Sequence, residues 1–400
     1  MFDGKKIVVG VTGGIAAYKT CELVRELKKN NAQVQVVMTE AATRFITPLT
    51  LATLSEKPVL LDLFADRISN PTVHIDVARW ADAILVCPAT ANTIGKVAAG
   101  LADNLLTTLI LATTAPVIFC PAMNKEMYRN AICQKNMDQL SQQGHHFVKS
   151  DEGELACGEY GWGRLAELVS ILNRLKKVLL GTNALSGKRV LITAGRTEEP
   201  LDPVRIFTNY SSGKMGFALA EAAALKGADV TLISGPNDLS PFDGVRLIRI
   251  QTSEQMADAV QQEIERQDIV IMSAAVADFA PATFSDQKLK KAEATASFEF
   301  KRTKDILKTV GQSKGNMILV GFAVETENER ENSLKKLREK NLDLIVTNNP
   351  KVEGAAFAVD TNIVTLMTRD GQVEAVPMMT KKLLAHKIMD RIIALTPNGR

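Results

Sequence analysis

This 400-residue sequence has little of what disulfide-rich, metal-binding and membrane proteins depend on. Its five cysteines, Cys21, Cys87, Cys120, Cys133 and Cys157, contain no Cys-x-x-Cys pair. An odd, scattered set of this kind argues against a disulfide framework and a zinc knuckle. The four histidines, His74, His145, His146 and His386, also lack metal-ligand spacing. No apolar run reaches the roughly 18 residues that a membrane span needs. The opening Met1-Phe2-Asp3-Gly4-Lys5-Lys6 has neither an apolar signal core nor a cleavage site, so export is not expected. Charge of one sign is scarce too: 48 Lys and Arg against 45 Asp and Glu leave +3, which is no nucleic-acid footprint. The basic clusters at 288–291 and 335–340 read as solvated faces or phosphate binders. A reduced, cytoplasmic protein is the expectation.

What is present is a globular composition, 46% hydrophobic and 23% charged, in a chain too long for one ordinary core. The chain also repeats its own opening. Gly4-Lys5-Lys6-Ile7-Val8-Val9-Gly10-Val11-Thr12-Gly13 is echoed by Gly187-Lys188-Arg189-Val190-Leu191-Ile192-Thr193-Ala194-Gly195. Each is a polar start, a continuous apolar run and a small-residue turn, which is how a buried parallel strand reads as it enters a helix. Further runs, Val34 to Met38 and Ala83 to Pro88, have counterparts in Val230 to Ile233 and Ile269 to Ala274. Amphipathic stretches such as Glu22 to Lys29 and Ala218 to Lys226 separate them. The fold class expected is therefore α/β, with two Rossmann-like, doubly wound domains at 1–180 and 187–400 and a linker at about 175–187. Ligands are expected beyond the carboxyl ends of the strands.

Neither opening turn is a common fingerprint. Gly10-x-x-Gly13-Gly14 is not GxGxxG, and Tyr18 stands where a Walker A motif needs glycine before Lys19. Ser212-Gly213-Lys214-Met215 lacks both the upstream glycine and a Ser or Thr after the lysine. The pattern alone leads to two Rossmann-like domains that bind phosphorylated ligands.

Four segments of the first half carry more. They are Val11 to Lys19, Pro88-Ala89-Thr90-Ala91-Asn92-Thr93, Gly100-Leu101-Ala102-Asp103-Asn104-Leu105-Leu106, and Pro121-Ala122-Met123-Asn124. Together they resemble the flavin-dependent cysteine decarboxylases that act on phosphopantothenoylcysteine or on peptide C-terminal cysteines. The resemblance covers most of residues 4–170 and implies FMN at Gly13, Gly14, Thr39, Thr90 and Asn92. Physical chemistry agrees with it. Small residues at 13 and 14 let a helix N-terminus approach a phosphate, and Thr39 ends the second strand with a hydroxyl. Thr90 and Asn92 are expected on the exit loop of the next strand, facing the flavin ring.

A lone histidine is more often structural than catalytic; the resemblance makes His74 the active-site base. A residue of near-neutral pKa suits the cysteinyl thiol proton. It also makes Asn124 the holder of the substrate carboxylate and Cys157 the proton donor. The three glycines beside Cys157, in Ala156-Cys157-Gly158-Glu159-Tyr160-Gly161-Trp162-Gly163-Arg164-Leu165, predict a mobile flap. Leu165 replaces the Met usual in the family, a volume-conserving change.

The second half resembles phosphopantothenate–cysteine ligase over about residues 187–395. The resemblance rests on Asp202-Pro203-Val204-Arg205, Asn209-Tyr210-Ser211-Ser212-Gly213-Lys214-Met215-Gly216, Ala274 to Phe279 and Lys288-Leu289-Lys290-Lys291. It implies carboxylate activation: the acid attacks the α-phosphorus of CTP, pyrophosphate leaves, and cysteine's amine opens the acyl cytidylate. Asn209 is then the residue on the acyl nucleotide, Lys288 a nucleotide contact and the cation for the transition state, and Asp278 the ligand for Mg2+ or for the nucleotide sugar. Arg205, Ser212, Gly213 and Lys214 fall on the pantothenate substrate. Ser273, Lys304, Asp305, Ile306 and Leu307 fall on the nucleotide, with Phe322, Lys336 and Lys340. Lys336 and Lys340 are four apart and share a helix face. Arg196 and Lys304 depart from the family pattern on loops near the nucleotide.

The combined resemblance implies coenzyme A biosynthesis: ligation of 4′-phosphopantothenate to cysteine, then decarboxylation to 4′-phosphopantetheine. It also implies a homo-oligomer, a dodecamer built from trimers and dimers, with no nucleic acid or membrane partner. Two other classes stay open on the residues: a flavin or nicotinamide oxidoreductase, and a non-catalytic flavoprotein that regulates a partner.

Overall fold

The apolar runs become strands, and those of the first half's main sheet pair in parallel. The computed structural model describes residues 2–64, 72–156, 158–288, 298–325, 327–349 and 359–396. The chain divides into two units, Met1–Leu180 and Gly181–Arg400.

In the first unit the elements run β1 (Lys6–Val11), α1 (Thr20–Lys29), β2 (Gln33–Met38), α2 (Pro48–Ser55), α3 (Val73–Trp80) and β3 (Ala83–Ala89). They continue with α4 (Ala91–Ala98), α5 (Leu105–Ala112), β4 (Val117–Pro121), α6 (Lys125–Arg129), α7 (Ala131–Gln142) and β5 (His146–Phe147). A hairpin of β6 (Asp151–Glu154) and β7 (Tyr160–Arg164) precedes α8 (Leu168–Leu180). The sheet order is β2-β1-β3-β4-β5 with every pairing parallel. Every residue of β3 is buried, because helices cover both faces of the sheet. On one face Leu23, Val24 and Leu27 of α1 meet Ile171 and Leu175 of α8. On the other, Ile94, Leu106, Leu109 and Met137 close the core. Each such side chain contributes roughly 1.5–3 kcal/mol by leaving water.

The second unit contains β8 (Arg189–Ala194), β9 (Glu198–Pro200), β10 (Ile206–Thr208), α9 (Lys214–Leu225), β11 (Asp229–Ser234), β12 (Arg246–Arg249) and α10 (Ser253–Glu263). Next come β13 (Ile269–Met272), β14 (Phe279–Pro281), β15 (Phe300–Arg302), α11 (Ile306–Gln312), β16 (Ile318–Val324) and α12 (Glu329–Glu339). The chain closes with β17 (Leu344–Asn348), β18 (Thr361–Thr368), β19 (Val373–Thr380) and α13 (Lys381–Leu395). The main sheet runs β12-β11-β8-β13-β16-β17-β18-β19. Its first six strands are parallel and its last two antiparallel.

Two details differ from the sequence reading. The linker expected from about residue 175 begins later, because α8 continues to Leu180 while Val178 and Leu179 still find apolar partners in the first core. The doubly wound sheet of the second unit carries an antiparallel edge pair, β18 and β19, which periodicity had not indicated.

Candidate active sites

In the first unit the strand order reverses between β1 and β3, so the loops after these strands part and leave a crevice. Two buried bonds brace it. The Thr12 hydroxyl donates to the Pro88 carbonyl at 2.7 Å and accepts from the Thr90 N–H at 3.1 Å. Thr12 itself is wholly buried. A cavity of about 1100 Å³ opens here, lined among others by Gly13, Gly14, Thr39, Thr90, Asn92 and Asn124. All five residues expected at the cofactor therefore surround one space, together with the residue expected at the substrate carboxylate. A Cβ on Gly13 would lie 2.5 Å from Ala41 Cβ, so the loop reaches its position only as glycine.

The local geometry corrects two expectations. The glycine turn leads first into a short 3-10 helix, Ile15–Lys19, which then runs into α1. Such tightening is common at helix N-termini, where the first N–H groups lack partners. Asn92 is also not on a loop. The Thr90 hydroxyl accepts from the Thr93 N–H and caps α4, which puts Asn92 in that helix's first turn.

Asn124 caps α6, its Oδ1 accepting from the Glu126 N–H at 2.8 Å. Its Nδ2 donates to Glu159 Oε2 at 3.2 Å, and Lys125 Nζ lies 3.5 Å from Glu159 Oε1. The glycine-rich segment expected as a flap forms the β6–β7 hairpin. It is fastened to the site by the Met123 N–H, which donates to the Gly163 carbonyl at 2.9 Å. A Cβ on Gly163, at φ +120°, would fall 2.3 Å from the Met123 carbonyl oxygen. Cys157 lies outside the described residues.

His74 stands on α3 and is not among the cavity's lining residues; its Nδ1 is buried without a hydrogen-bond partner among the described residues. Cys87 and Cys120 are buried side by side, and burial first, then the Cys87 thiol, pushes Cys120 well above the usual thiol range. They are core residues.

Thr12 and Asn104 were missed as site residues. Asn104 lines the cavity and caps α5 in a reciprocal box with Thr107, a spacing visible in the sequence. Thr12 gave no local signal. Thr12→Val keeps the shape but removes both bonds. It is expected to destabilise the first unit by about 1–3 kcal/mol, read as an earlier calorimetric transition; an unmoved transition would refute the brace.

In the second unit the order reverses between β8 and β13, and the N-terminus of α9 sits over that point. Gly216 packs against both strands: its Cβ would meet Ala194 Cβ at 2.4 Å and Ser273 Oγ at 2.9 Å. Gly213 caps α9 at φ +75°, a conformation that suits glycine. Ser273 Oγ donates to the Thr193 carbonyl at 2.6 Å, and Asn209 Nδ2 donates to the Val276 carbonyl at 3.0 Å. Asn209, Ser212, Gly213, Lys214 and Ser273 thus gather at one edge of the sheet.

Four of the expected cations arrive with carboxylate partners. Lys214 pairs with Asp360 at 2.6 Å, Lys336 with Glu325 at 2.6 Å, Lys340 with Asp305 at 2.8 Å, and Arg205 with buried Asp202 at 3.4 Å. The Lys214 ammonium holds the Asp360 carboxyl below its usual range. Asp305 also caps α11, accepting from the Lys308 N–H. Ile306 is in the core, so only its backbone can face a ligand, while Leu307 and Phe322 are half-buried. Asp278, Lys288 and Lys304 are exposed, and Lys290 and Lys291 lie outside the described residues. Among the described residues no group of three or more His, Cys, Asp or Glu could hold a metal ion. No helix among them is long and apolar enough to cross a membrane.

Comparison with known proteins places both sites in context. Residues 1–180 match the Flavoprotein family, and residues 185–395 match the DNA/pantothenate metabolism flavoprotein C-terminal domain. The chain is 48% identical over 401 residues to the coenzyme A biosynthesis bifunctional protein CoaBC of Bacillus subtilis, covering 99% of this chain and 98% of that protein. It is 46% identical over 392 residues to the same-named protein of Vibrio cholerae, covering 97% and 98%. A solved C-terminal domain of a coenzyme A biosynthesis bifunctional protein CoaBC is 44% identical, with TM-score 0.47, covering 54% of this chain and 98% of that one.

Proposed function

The chain belongs to the family of bifunctional coenzyme A biosynthesis proteins, an enzyme with a decarboxylase unit and a ligase unit, and we propose that the two crevices described above are their active sites. At the second, 4′-phosphopantothenate is activated by CTP as an acyl cytidylate and joined to cysteine. At the first, the resulting 4′-phosphopantothenoylcysteine is decarboxylated to 4′-phosphopantetheine. The observation that carries this reading is the first-unit cavity, where the five FMN residues and Asn124 surround one space.

The cavity is of the size ligand pockets have, and its glycine and hydroxyl lining suits a flavin mononucleotide. Gly13 and Gly14 would hold the phosphate, with Thr39, Thr90 and Asn92 around the rest. When bound, FMN would supply the two-electron oxidation that lets carbon dioxide leave and the two-electron reduction that afterwards completes the product. Asn124 orients the substrate carboxylate, and Cys157 returns a proton. A base must come within hydrogen-bond reach of its proton, yet His74 lies off the lining of its own chain's cavity. In the trimers that the resemblance implies, His74 of a neighbouring copy would complete the site.

In the second unit, Asn209 would face the acyl nucleotide while Arg205, Ser212, Gly213 and Lys214 take the pantothenate. Lys336 and Lys340 would exchange their carboxylates for nucleotide phosphates, beside Ser273, Phe322 and the 304–307 segment. Lys288 would neutralise the developing charge. Magnesium commonly rests on one or two carboxylates plus substrate phosphates, which a single carboxylate, Asp278, can satisfy. The enzyme would work in the cytoplasm as a dodecamer of trimers and dimers.

Incubation with 4′-phosphopantothenate, cysteine, CTP and Mg2+ is expected to give 4′-phosphopantetheine by mass spectrometry. Accumulated phosphopantothenoylcysteine would refute the first-unit assignment, equal rates with ATP would refute the CTP preference, and no conversion would overturn both. Cys157→Ser is expected to consume phosphopantothenoylcysteine and release carbon dioxide, yet stall at a species poorer than the product by one pair of hydrogens. Normal product formation by that variant would remove Cys157 from the mechanism.

A further inference from the structure

Asn124, which this reading assigns to the substrate carboxylate, already has a carboxylate beside it. Glu159 Oε2 accepts from Asn124 Nδ2 at 3.2 Å, and Glu159 Oε1 lies 3.5 Å from Lys125 Nζ. The backbone is shaped to bring it there. Gly161 leaves room over Lys125, where a Cβ would meet the lysine's own Cβ at 3.2 Å. Two residues on, Gly163 lies against the Met123 carbonyl and accepts from the Met123 N–H. Strand β7 is thereby pinned flat along 123–125, and Glu159 sits just before it.

We propose that Glu159 is a positioning residue that occupies the Asn124 amide, assigned above to the substrate carboxylate, until the substrate arrives. The proposal rests on the assignment of Asn124 given above. The Asn124 Nδ2 carries two N–H donors, but a second carboxylate drawn to it would stand against Glu159 with like-charge repulsion, so binding of substrate displaces Glu159. Loss of the substrate carboxylate as carbon dioxide lets Glu159 return. The contact is suited to exchange: Glu159 is 45% exposed and Lys125 25%, and exposed pairs are weak. The product lacks a carboxylate and does not compete with Glu159, so the device favours product release over rebinding.

That asymmetry supplies the test. The flavin-loaded full chain, without nucleotide so that the ligase is idle, is assayed for KM with phosphopantothenoylcysteine and for inhibition by 4′-phosphopantetheine. Glu159→Ala is expected to lower KM by about twofold to fivefold, the range an exposed ion pair allows, and to leave the product inhibition constant unchanged. Glu159→Gln, which removes the charge and keeps the shape, is expected to move KM the same way by less. Asn124→Ala is expected to raise KM relative to the inhibition constant. If KM and the inhibition constant move together in the Glu159 variants, or neither moves, the proposal fails although Asn124 keeps its role. If Asn124→Ala leaves their ratio unchanged, the assignment of Asn124 fails and the proposal with it.

Discussion

Gly13→Val is expected to purify without flavin colour and to lose decarboxylation by about 100-fold or more, the effect of a displacement near 1 Å at a reacting site. The first side-chain carbon alone would stand 2.5 Å from Ala41 Cβ and 3.0 Å from the Ala41 carbonyl carbon. The second of these is backbone and cannot rotate away. Relief requires the loop after β1 to part from residue 41, beside Thr39 and Glu40 on the cavity wall. Overpacking of this kind costs about 1–3 kcal/mol, so the unit should remain folded while the phosphate cradle is spoiled. The second unit is untouched. Fed 4′-phosphopantothenate, cysteine, CTP and Mg2+, the variant should therefore accumulate phosphopantothenoylcysteine. Visible absorbance per protein and product masses read both effects. Full flavin content with normal decarboxylation would mean that the phosphate lies elsewhere.

Gly216→Val should do the converse. Its Cβ would meet Ala194 Cβ at 2.4 Å, Ser273 Oγ at 2.9 Å and Ala194 Cα at 3.0 Å. The first turn of α9 would have to lift from β8 and β13, taking Gly213 and Lys214 with it. A ligation rate lower by about 100-fold follows on the same positional argument. Supplied phosphopantothenoylcysteine should still be decarboxylated at the normal rate, and flavin absorbance should be unchanged. Retained ligation would show that the α9 N-terminus does not hold a reactant. Loss of both activities would point to general unfolding.

Gly13 was legible because it follows a continuous apolar strand, and a parallel strand must deliver its chain to a ligand edge, whereas Gly216, inside α9, was legible only through the resemblance carried by Asn209 to Gly216. Thr12 was not legible as a brace. Its partners, Pro88 and Thr90, lie 76 and 78 residues away and meet it only because β1 and β3 are neighbours. The β18–β19 edge was missed for a related reason. Thr361–Thr368 alternates buried and half-buried residues along most of its length, but its partner strands are defined by pairing, not by local propensity. The lysines at 214, 336 and 340 could be recognised as phosphate-seeking, whereas their ion pairs with Asp360, Glu325 and Asp305 depend on segments brought together in space. The start of the linker, expected near residue 175, was also set too early, since apolar contacts at Val178 and Leu179 carry α8 to Leu180.

The sequence by itself determined that there are two α/β units, because apolar runs such as Val8 to Val11 and Ile269 to Met272 must be covered on both faces and therefore alternate with helices. It also determined which loops carry small residues and hydroxyls, since only those types let a backbone approach a phosphate. Tertiary structure alone decided which loops face each other. The reversal of strand order sets Gly14 beside Thr90, and Gly216 on Ala194 and Ser273. It likewise brought Glu159 to Asn124, 35 residues apart in the chain. Contacts of that range follow from strand order and packing, which local periodicity does not encode.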